Sequence, residues 1–188
     1  MTLYFLTRHE YAVVGRCADR LLPPHGTFVG GAAAGAADYV DLTLGAFAFD
    51  PPRIWAGGPF SGRFGGAATF DRFVPLSRVE ELAWRTRIEG SRGLAEREWN
   101  GPVRGWQEIY REGIGALGPA FLELSGDEQD AALRGVPELR QLLFEHTCEA
   151  CYGAPEYGGN RDLTGWLAIG MPGDVQPRGY TDEEVSSA

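Results

Sequence analysis

Apolar residues recur every three or four positions over most of this chain, which is the spacing of one face of an α-helix. No segment shows a convincing alternation of apolar and polar residues, the pattern of a half-buried β-strand. The sequence therefore predicts a mostly α protein, with a single compact helical domain over residues 1–188. The segments with a helical pattern are residues 7–22, 32–44, 77–90, 103–121, 125–134 and 137–152.

Local signals mark where several of these helices begin and end. Three helices begin with a capping box, in which a Ser or Thr side chain accepts from the backbone N–H three residues on and a Glu side chain reaches back. Pro137 stands where a proline best begins a helix, and we expect Gly153 to end that helix in a left-handed conformation. The three boxes pair Thr7 with Glu10, Ser77 with Glu80 and Ser125 with Glu128.

The helical spacing also predicts which side chains face the core. We expect one inward stripe on each of three helices, because apolar residues three and four apart share a face. These stripes are Tyr11, Val14, Ala18 and Leu21; Val79, Leu82 and Ala83; and Leu139, Leu142, Leu143, His146 and Ala150.

A long loop rich in glycine and aromatic residues is expected at about residues 50–76. Residues 57–66 have too many glycines to propagate a helix and too few branched side chains to hold a strand. Aromatic side chains need burial, so we expect the loop to lie against the domain or against a partner. The aromatic residues concerned are Trp55, Phe60, Phe64, Phe70 and Phe73.

The glycines between Gly113 and Gly118 match the dinucleotide-binding fingerprint letter for letter. That fingerprint binds a pyrophosphate only where a strand precedes it and a helix follows. An amphipathic helical pattern precedes it here, so we interpret the glycines as a kink or break in a helix.

Composition and charge narrow the classes of partner. With 188 residues, of which 44% are hydrophobic, the chain can bury a sizeable core. Its net charge is −9, and all 17 basic residues are arginine. An acidic chain is poorly suited to the phosphates of nucleic acids or to anionic membranes, so we expect neither as a partner.

No apolar stretch approaches the roughly 18 residues of a membrane span, because the longest one, residues 32–49, is interrupted by Asp38 and Asp41. The N-terminal residues also lack the basic and apolar regions of a secretory signal. We therefore expect a soluble, cytoplasmic protein without direct membrane insertion.

Three cysteines are too few for a disulfide framework. Cys148 and Cys151 have the spacing of a redox or metal pair, but the chain offers no second pair to complete a metal site. We expect Cys17, Cys148 and Cys151 to be reduced, unligated and inert; the alternative is a disulfide between Cys148 and Cys151 or to a partner. We expect no metal or cofactor in this chain.

His146 is the one histidine on an apolar helix face, since His9 lies in a first helical turn and His25 in a Pro-Gly turn. A lone histidine in that position usually packs in a core. The alternative is a catalytic base that works with Glu149 or Asp162 in a self-sufficient small enzyme.

The segment 144–173 combines small motifs that composition does not explain. It resembles the C-terminal signature of the gluconate 2-dehydrogenase subunit 3 family, and weaker similarity at Leu6, Thr7 and Glu10 extends the resemblance over most of the chain. The matching residues are His146-Thr147, Glu149, Tyr152-Gly153, Pro155, Tyr157-Gly158-Gly159-Asn160, Gly165-Trp166 and Pro172-Gly173.

This resemblance implies a small subunit with no catalytic activity of its own. The large subunit of such complexes is a glucose-methanol-choline type flavoprotein that carries FAD and oxidises a sugar, sugar acid or glycoside, while the small subunit supports its folding and stability. Members often carry a twin-arginine export signal, which this sequence does not show. The alternatives are the self-sufficient enzyme described above and an orphan protein-interaction module.

The resemblance and the aromatic loop together suggest residues for the partner interface. Glycines permit positive φ and Asn160 can bond nearby backbone, so residues 157–160 are expected to form a compact turn. That turn either meets the partner or holds the chain's own fold. The interface candidates are His146, Tyr152, Tyr157, Gly158, Gly159, Asn160, Arg161, Trp166, Trp55, Phe60 and Phe64.

Overall fold

Seven α-helices and one two-stranded sheet make up the described part of the chain, residues 2–60 and 72–171 of a computed structural model. The predicted mostly α fold is confirmed, and none of the described helices is long and apolar enough to cross a membrane. The calls for Phe64, Phe70 and Pro172-Gly173 lie outside the described residues. The elements are α1 (Arg8–Leu21), α2 (Ala36–Leu44), β1 (Trp55–Phe60), β2 (Arg72–Pro75), α3 (Arg78–Glu89), α4 (Trp106–Leu117), α5 (Gly126–Arg134), α6 (Pro137–Tyr152) and α7 (Thr164–Ala168).

The helix starts predicted from the capping boxes and from Pro137 are confirmed. The Glu10 N–H of α1 donates to Thr7 Oγ1 over 3.2 Å, and the Thr7 N–H donates to Glu10 Oε2 over 2.7 Å. The same capping box begins α3 and α5, and Pro137 is the first residue of α6. Each box satisfies backbone N–H groups that the helix itself leaves without partners.

Helix α6 lies at the centre of the fold, in contact with α1, α2, α4, α5 and α7. Its predicted inward stripe is confirmed, because Leu139, Leu142, Leu143, His146 and Ala150 are all buried. The three leucines pack among Val13 of α1, Leu44 of α2, Tyr110 of α4 and other residues of one large apolar cluster, and Ala150 packs with Ala18 and Ala36. A residue on the inner face of α6 therefore meets most of the other helices.

Helix α4 runs without a break through Gly113 and Gly115 and ends before Gly118, whose φ is +83°. The predicted kink at the first two glycines is wrong. Gly113 serves close packing instead, since a Cβ built there would lie 2.5 Å from the Cβ of Leu139 on α6. The missing side chain lets the two helix backbones approach each other.

The expectation of a strand-free loop at residues 50–76 is also wrong, since β1 and β2 pair antiparallel within it. The register shifts twice between Trp55 and Phe60, which accommodates the Gly-Gly-Pro run of β1. The Trp55 and Phe73 rings stack with centroids 4.0 Å apart. This aromatic contact across the hairpin supplies the packing that β-branched residues give ordinary strands.

Three smaller predictions fail for local reasons. Val79 is 76% exposed and Ala83 is exposed as well, because α3 packs through its second half, where Trp84 meets Trp106 of α4. Gly153 caps α6 in an extended conformation with φ of −74°. Helix α2 begins at Ala36, later than expected, because Gly35 precedes it with φ of +98°.

Candidate functional site

The side of α6 that carries Glu145, His146 and Glu149 borders a cavity of about 290 Å³. Glu145 lies four positions and His146 three positions before Glu149, so both side chains neighbour Glu149 on the helix surface, and all three line the cavity. We call this space the α6 cavity.

Aromatic side chains from several elements form the walls of the α6 cavity. Trp55 of β1, Trp84 of α3 and Trp106 at the start of α4 contribute indole rings. Tyr39 of α2 and Tyr157, in the turn after α6, contribute phenol rings. All five are partly buried, so the walls consist of ring surface that remains accessible.

His146 is 1% exposed, and its Nδ1 lies 3.0 Å from the hydroxyl oxygen of Tyr110. Burial, aided by the positive charge of Arg87, lowers the pKa of His146 to about 4. The imidazole is therefore neutral near pH 7. Its other nitrogen, Nε2, is buried and has no hydrogen-bond partner among the described residues.

A second polar pair lies on the same side of α6. The Tyr39 hydroxyl donates to Glu149 Oε2 over 2.8 Å. Burial raises the pKa of Tyr39, and the negative charge of Glu149 acts in the same direction. Tyr39 therefore stays protonated and fixes the Glu149 carboxylate at the edge of the cavity.

Two arginines border the cavity. The guanidinium of Arg87 lies 5.4 Å from the ring centre of Trp84 and 5.3 Å from that of Trp106, within the range of cation–π attraction. Arg53 Nη2 donates to the carbonyl oxygen of Glu156 over 3.3 Å. With Glu145 and Glu149, the four formal charges around the cavity cancel.

The turn after α6 is held by Asn160, which is completely buried. Its Nδ2 donates to the carbonyl of Gly153 over 3.1 Å, and its Oδ1 accepts from the N–H of Gly165 over 3.0 Å. A Cβ built on Gly159 would lie 2.2 Å from the carbonyl oxygen of Ala150. The predicted compact turn is present, and Asn160 ties the end of α6 to the start of α7.

Comparison with known protein families agrees with the resemblance seen in the sequence. The family described as gluconate 2-dehydrogenase subunit 3 matches residues 8–173. The chain belongs to this family. No curated protein and no solved structure matches it. The family's description makes the chain one subunit of a dehydrogenase that has other subunits.

The structure brings several signature residues of this family together and separates others. His146, Glu149 and Tyr157 meet around the α6 cavity, whereas Asn160 and Trp166 pack behind it. Trp166 Nε1 donates to the carbonyl of Tyr152 over 2.8 Å, so this indole also fastens α7 to the end of α6.

The interface candidates differ widely in exposure. His146, Gly159, Asn160 and Trp166 are buried within the chain, and they can affect a partner only through the shape of the surface above them. Tyr152 is 38% exposed, and Arg161 is exposed and pairs with Asp38. Trp55, Tyr157 and Gly158 are partly buried. Phe60 ends strand β1, and Phe64 lies outside the described residues.

Only some of the residues that a self-sufficient enzyme was expected to use lie together. His146 and Glu149 border the same cavity, but Asp162 does not line it. Burial raises the pKa values of Cys17 and Cys151 to about 12, which disfavours their thiolates. The described residues contain no group of three His, Cys, Asp or Glu side chains that could hold a metal ion.

Sequence reasoning did not single out Tyr39, Trp84, Trp106 or Glu145 as site residues. Their spacing gives no such signal, because three of them lie on helices other than α6. Of these four residues, only Glu145 could have been identified from the sequence, because it stands one helical turn before Glu149 on the same helix.

Proposed function

We propose that this chain is a non-catalytic small subunit that binds and stabilises a flavoprotein large subunit. The observation that carries the proposal is the family match over residues 8–173. The partner is a glucose-methanol-choline type oxidoreductase that holds FAD and oxidises a sugar, sugar acid or glycoside. The complex assembles in the cytoplasm.

The chemistry of the described residues supports this division of labour. A histidine whose pKa is about 4 is a weak base at neutral pH, and Tyr110 already occupies its Nδ1. The fingerprint glycines 113–118 lie within and at the end of α4 rather than between a strand and a helix. That position offers no cradle for a pyrophosphate, so we assign FAD to the partner.

Exposed apolar side chains support a docking surface near the C-terminal end of the described chain. Of thirteen large apolar side chains exposed in residues 2–60 and 72–171, six lie between residues 144 and 171. Leu167 and Ile169 are the most exposed of these, at 64% and 60%. Exposed apolar surface of this kind marks protein interfaces, and we assign the large subunit as its occupant.

The test is co-expression of the tagged chain with a glucose-methanol-choline type flavoprotein from the same organism. Leu167→Glu and Ile169→Glu each place a charge on the proposed surface, and we expect about tenfold less flavin per tagged chain. Val79→Glu is the matched control, because Val79 is 76% exposed on α3. Turnover per bound flavin should stay constant in all three variants, since an accessory surface changes how much complex forms.

Two results would contradict the proposal. One is failure of the parent chain to co-purify any flavoprotein, whereas full flavin recovery in both the Leu167→Glu and Ile169→Glu variants would contradict only the proposed docking surface. The other is oxidation of a sugar by the purified chain alone, which would establish a self-sufficient enzyme.

A further inference from the structure

The α6 cavity has the size of a small-molecule site. Its volume of about 290 Å³ stands near the lower end of ligand pockets, which begin at about 300 Å³. A single six-membered sugar ring fits a space of this size. The cavity therefore selects for a compact ligand.

The walls favour a ligand with a flat apolar face. Trp55, Trp84 and Trp106 present indole rings that are only partly buried. A pyranose carries axial C–H groups on one face, and these pack against an indole ring with loss of water from both surfaces. Rigid rings also lose little conformational entropy when a ligand binds.

The polar groups favour a ligand rich in hydroxyls. Glu145 and Glu149 can only accept hydrogen bonds when ionised, whereas Arg53 and Arg87 can only donate. A hydroxyl does both, so a polyhydroxylated ring can satisfy all four. Because the four formal charges cancel, the site gives no net advantage to an anionic or a cationic ligand.

His146 supplies an independent observation. Its Nε2 is buried without a partner among the described residues, and such a buried polar atom is costly unless something bonds to it. His146 lines the cavity, and its neutral imidazole can donate or accept through Nε2, depending on the tautomer. A ligand hydroxyl at this position would satisfy that nitrogen.

We propose that the α6 cavity binds a neutral monosaccharide in its pyranose form. The ring packs on the indoles, and its hydroxyls bond the glutamates, the arginines and His146. This inference does not rest on the accessory role, because the site lies within one chain and needs no flavoprotein.

The test uses the isotope-labelled full-length chain and follows the five indole N–H signals by NMR during titration with D-glucose, D-galactose, D-mannose or D-xylose. For ligands of this size we expect a Kd of about 1 mM. The signals of Trp55, Trp84 and Trp106 should shift and saturate with at least one sugar. Trp99, which is 90% exposed and outside the cavity, should stay in place.

Matched variants identify the binding groups. We expect Glu145→Gln to weaken binding about fivefold, while Glu138→Gln, the same change near the start of α6 and outside this cavity, leaves the Kd unchanged. Trp84→Leu should weaken binding about tenfold, and Trp99→Leu should not. Far-UV circular dichroism establishes that each variant is folded.

Three outcomes would overturn the inference. These are no saturable shift with any of the four sugars up to about 50 mM, equal shifts at Trp99, or binding of gluconate at least tenfold tighter than of glucose. A chain that binds glucose but no flavoprotein would contradict only the accessory role. A chain that binds the flavoprotein but no sugar would contradict only this inference.

Discussion

Replacing Asn160 with alanine tests whether the turn after α6 holds the fold. The substitution removes two side-chain hydrogen bonds and leaves the Gly153 carbonyl and the Gly165 N–H without their partner. Asn160 also adopts φ of 46° and ψ of 45°, a left-handed conformation that asparagine tolerates better than alanine.

The expected magnitude follows from these contacts. Each hydrogen bond contributes about 0.5–1.5 kcal/mol, and the left-handed backbone costs alanine about 1 kcal/mol. The free energy of unfolding should therefore fall by about 2–4 kcal/mol, which is large for a single substitution.

Urea denaturation of the isolated chain, followed by circular dichroism, measures this change. The matched control is Asn100→Ala, since Asn100 is exposed in the loop before α4, and its effect should stay within about 0.5 kcal/mol. If Asn160→Ala were as stable as Asn100→Ala, the turn would not fasten α6 to α7 as described.

Three further predictions concern packing and protonation. The pKa of His146 is about 4 in the folded chain and about 6.5 in the unfolded chain. The chain should therefore lose about 3 kcal/mol of stability as the pH falls from about 6.5 to about 4. His146→Gln should abolish this pH dependence, whereas the control His25→Gln should retain it. Gly113→Ala should destabilise the chain by about 1–3 kcal/mol through overpacking, whereas Gly115→Ala, with open space around it, should stabilise it by about 0.5–1 kcal/mol. Equal effects of the two substitutions in urea denaturation would contradict the packing described for α4. Burial raises the pKa of Cys148, but Cys148 is the only one of the three cysteines that is not fully buried, so a thiol reagent should label it first. Faster labelling of Cys17 or Cys151, mapped by mass spectrometry, would contradict this order.

Helix starts were predictable from sequence because their causes are local. Thr7 and Glu10 form a capping box from residues three apart, and Pro137 fits a first helical turn without any tertiary contact. The hairpin was not predictable in this way, since β1 depends on the stacking of Trp55 with Phe73, eighteen positions away in the sequence. The role of Gly113 likewise depends on Leu139 of another helix.

The sequence singled out four residues of the candidate site: His146 and Glu149 on α6, and Trp55 and Tyr157 outside it. Helical spacing places His146 and Glu149 on one side, and the family resemblance drew attention to both. Trp84 and Trp106 reach the same cavity from α3 and α4, and no local pattern specifies how those helices pack against each other. Side chains from separate helices become neighbours only through tertiary packing.

The central claim, that this chain is an accessory subunit of a flavoprotein, is tested most directly by chromatography with light scattering and flavin absorbance at 450 nm. The purified chain is mixed with a separately purified glucose-methanol-choline type flavoprotein from the same organism. We expect the flavin peak to gain 20.5 kDa for each chain bound, while the chain alone shows no flavin absorbance and no turnover. Unchanged, separate peaks at micromolar concentrations of both proteins would contradict the account.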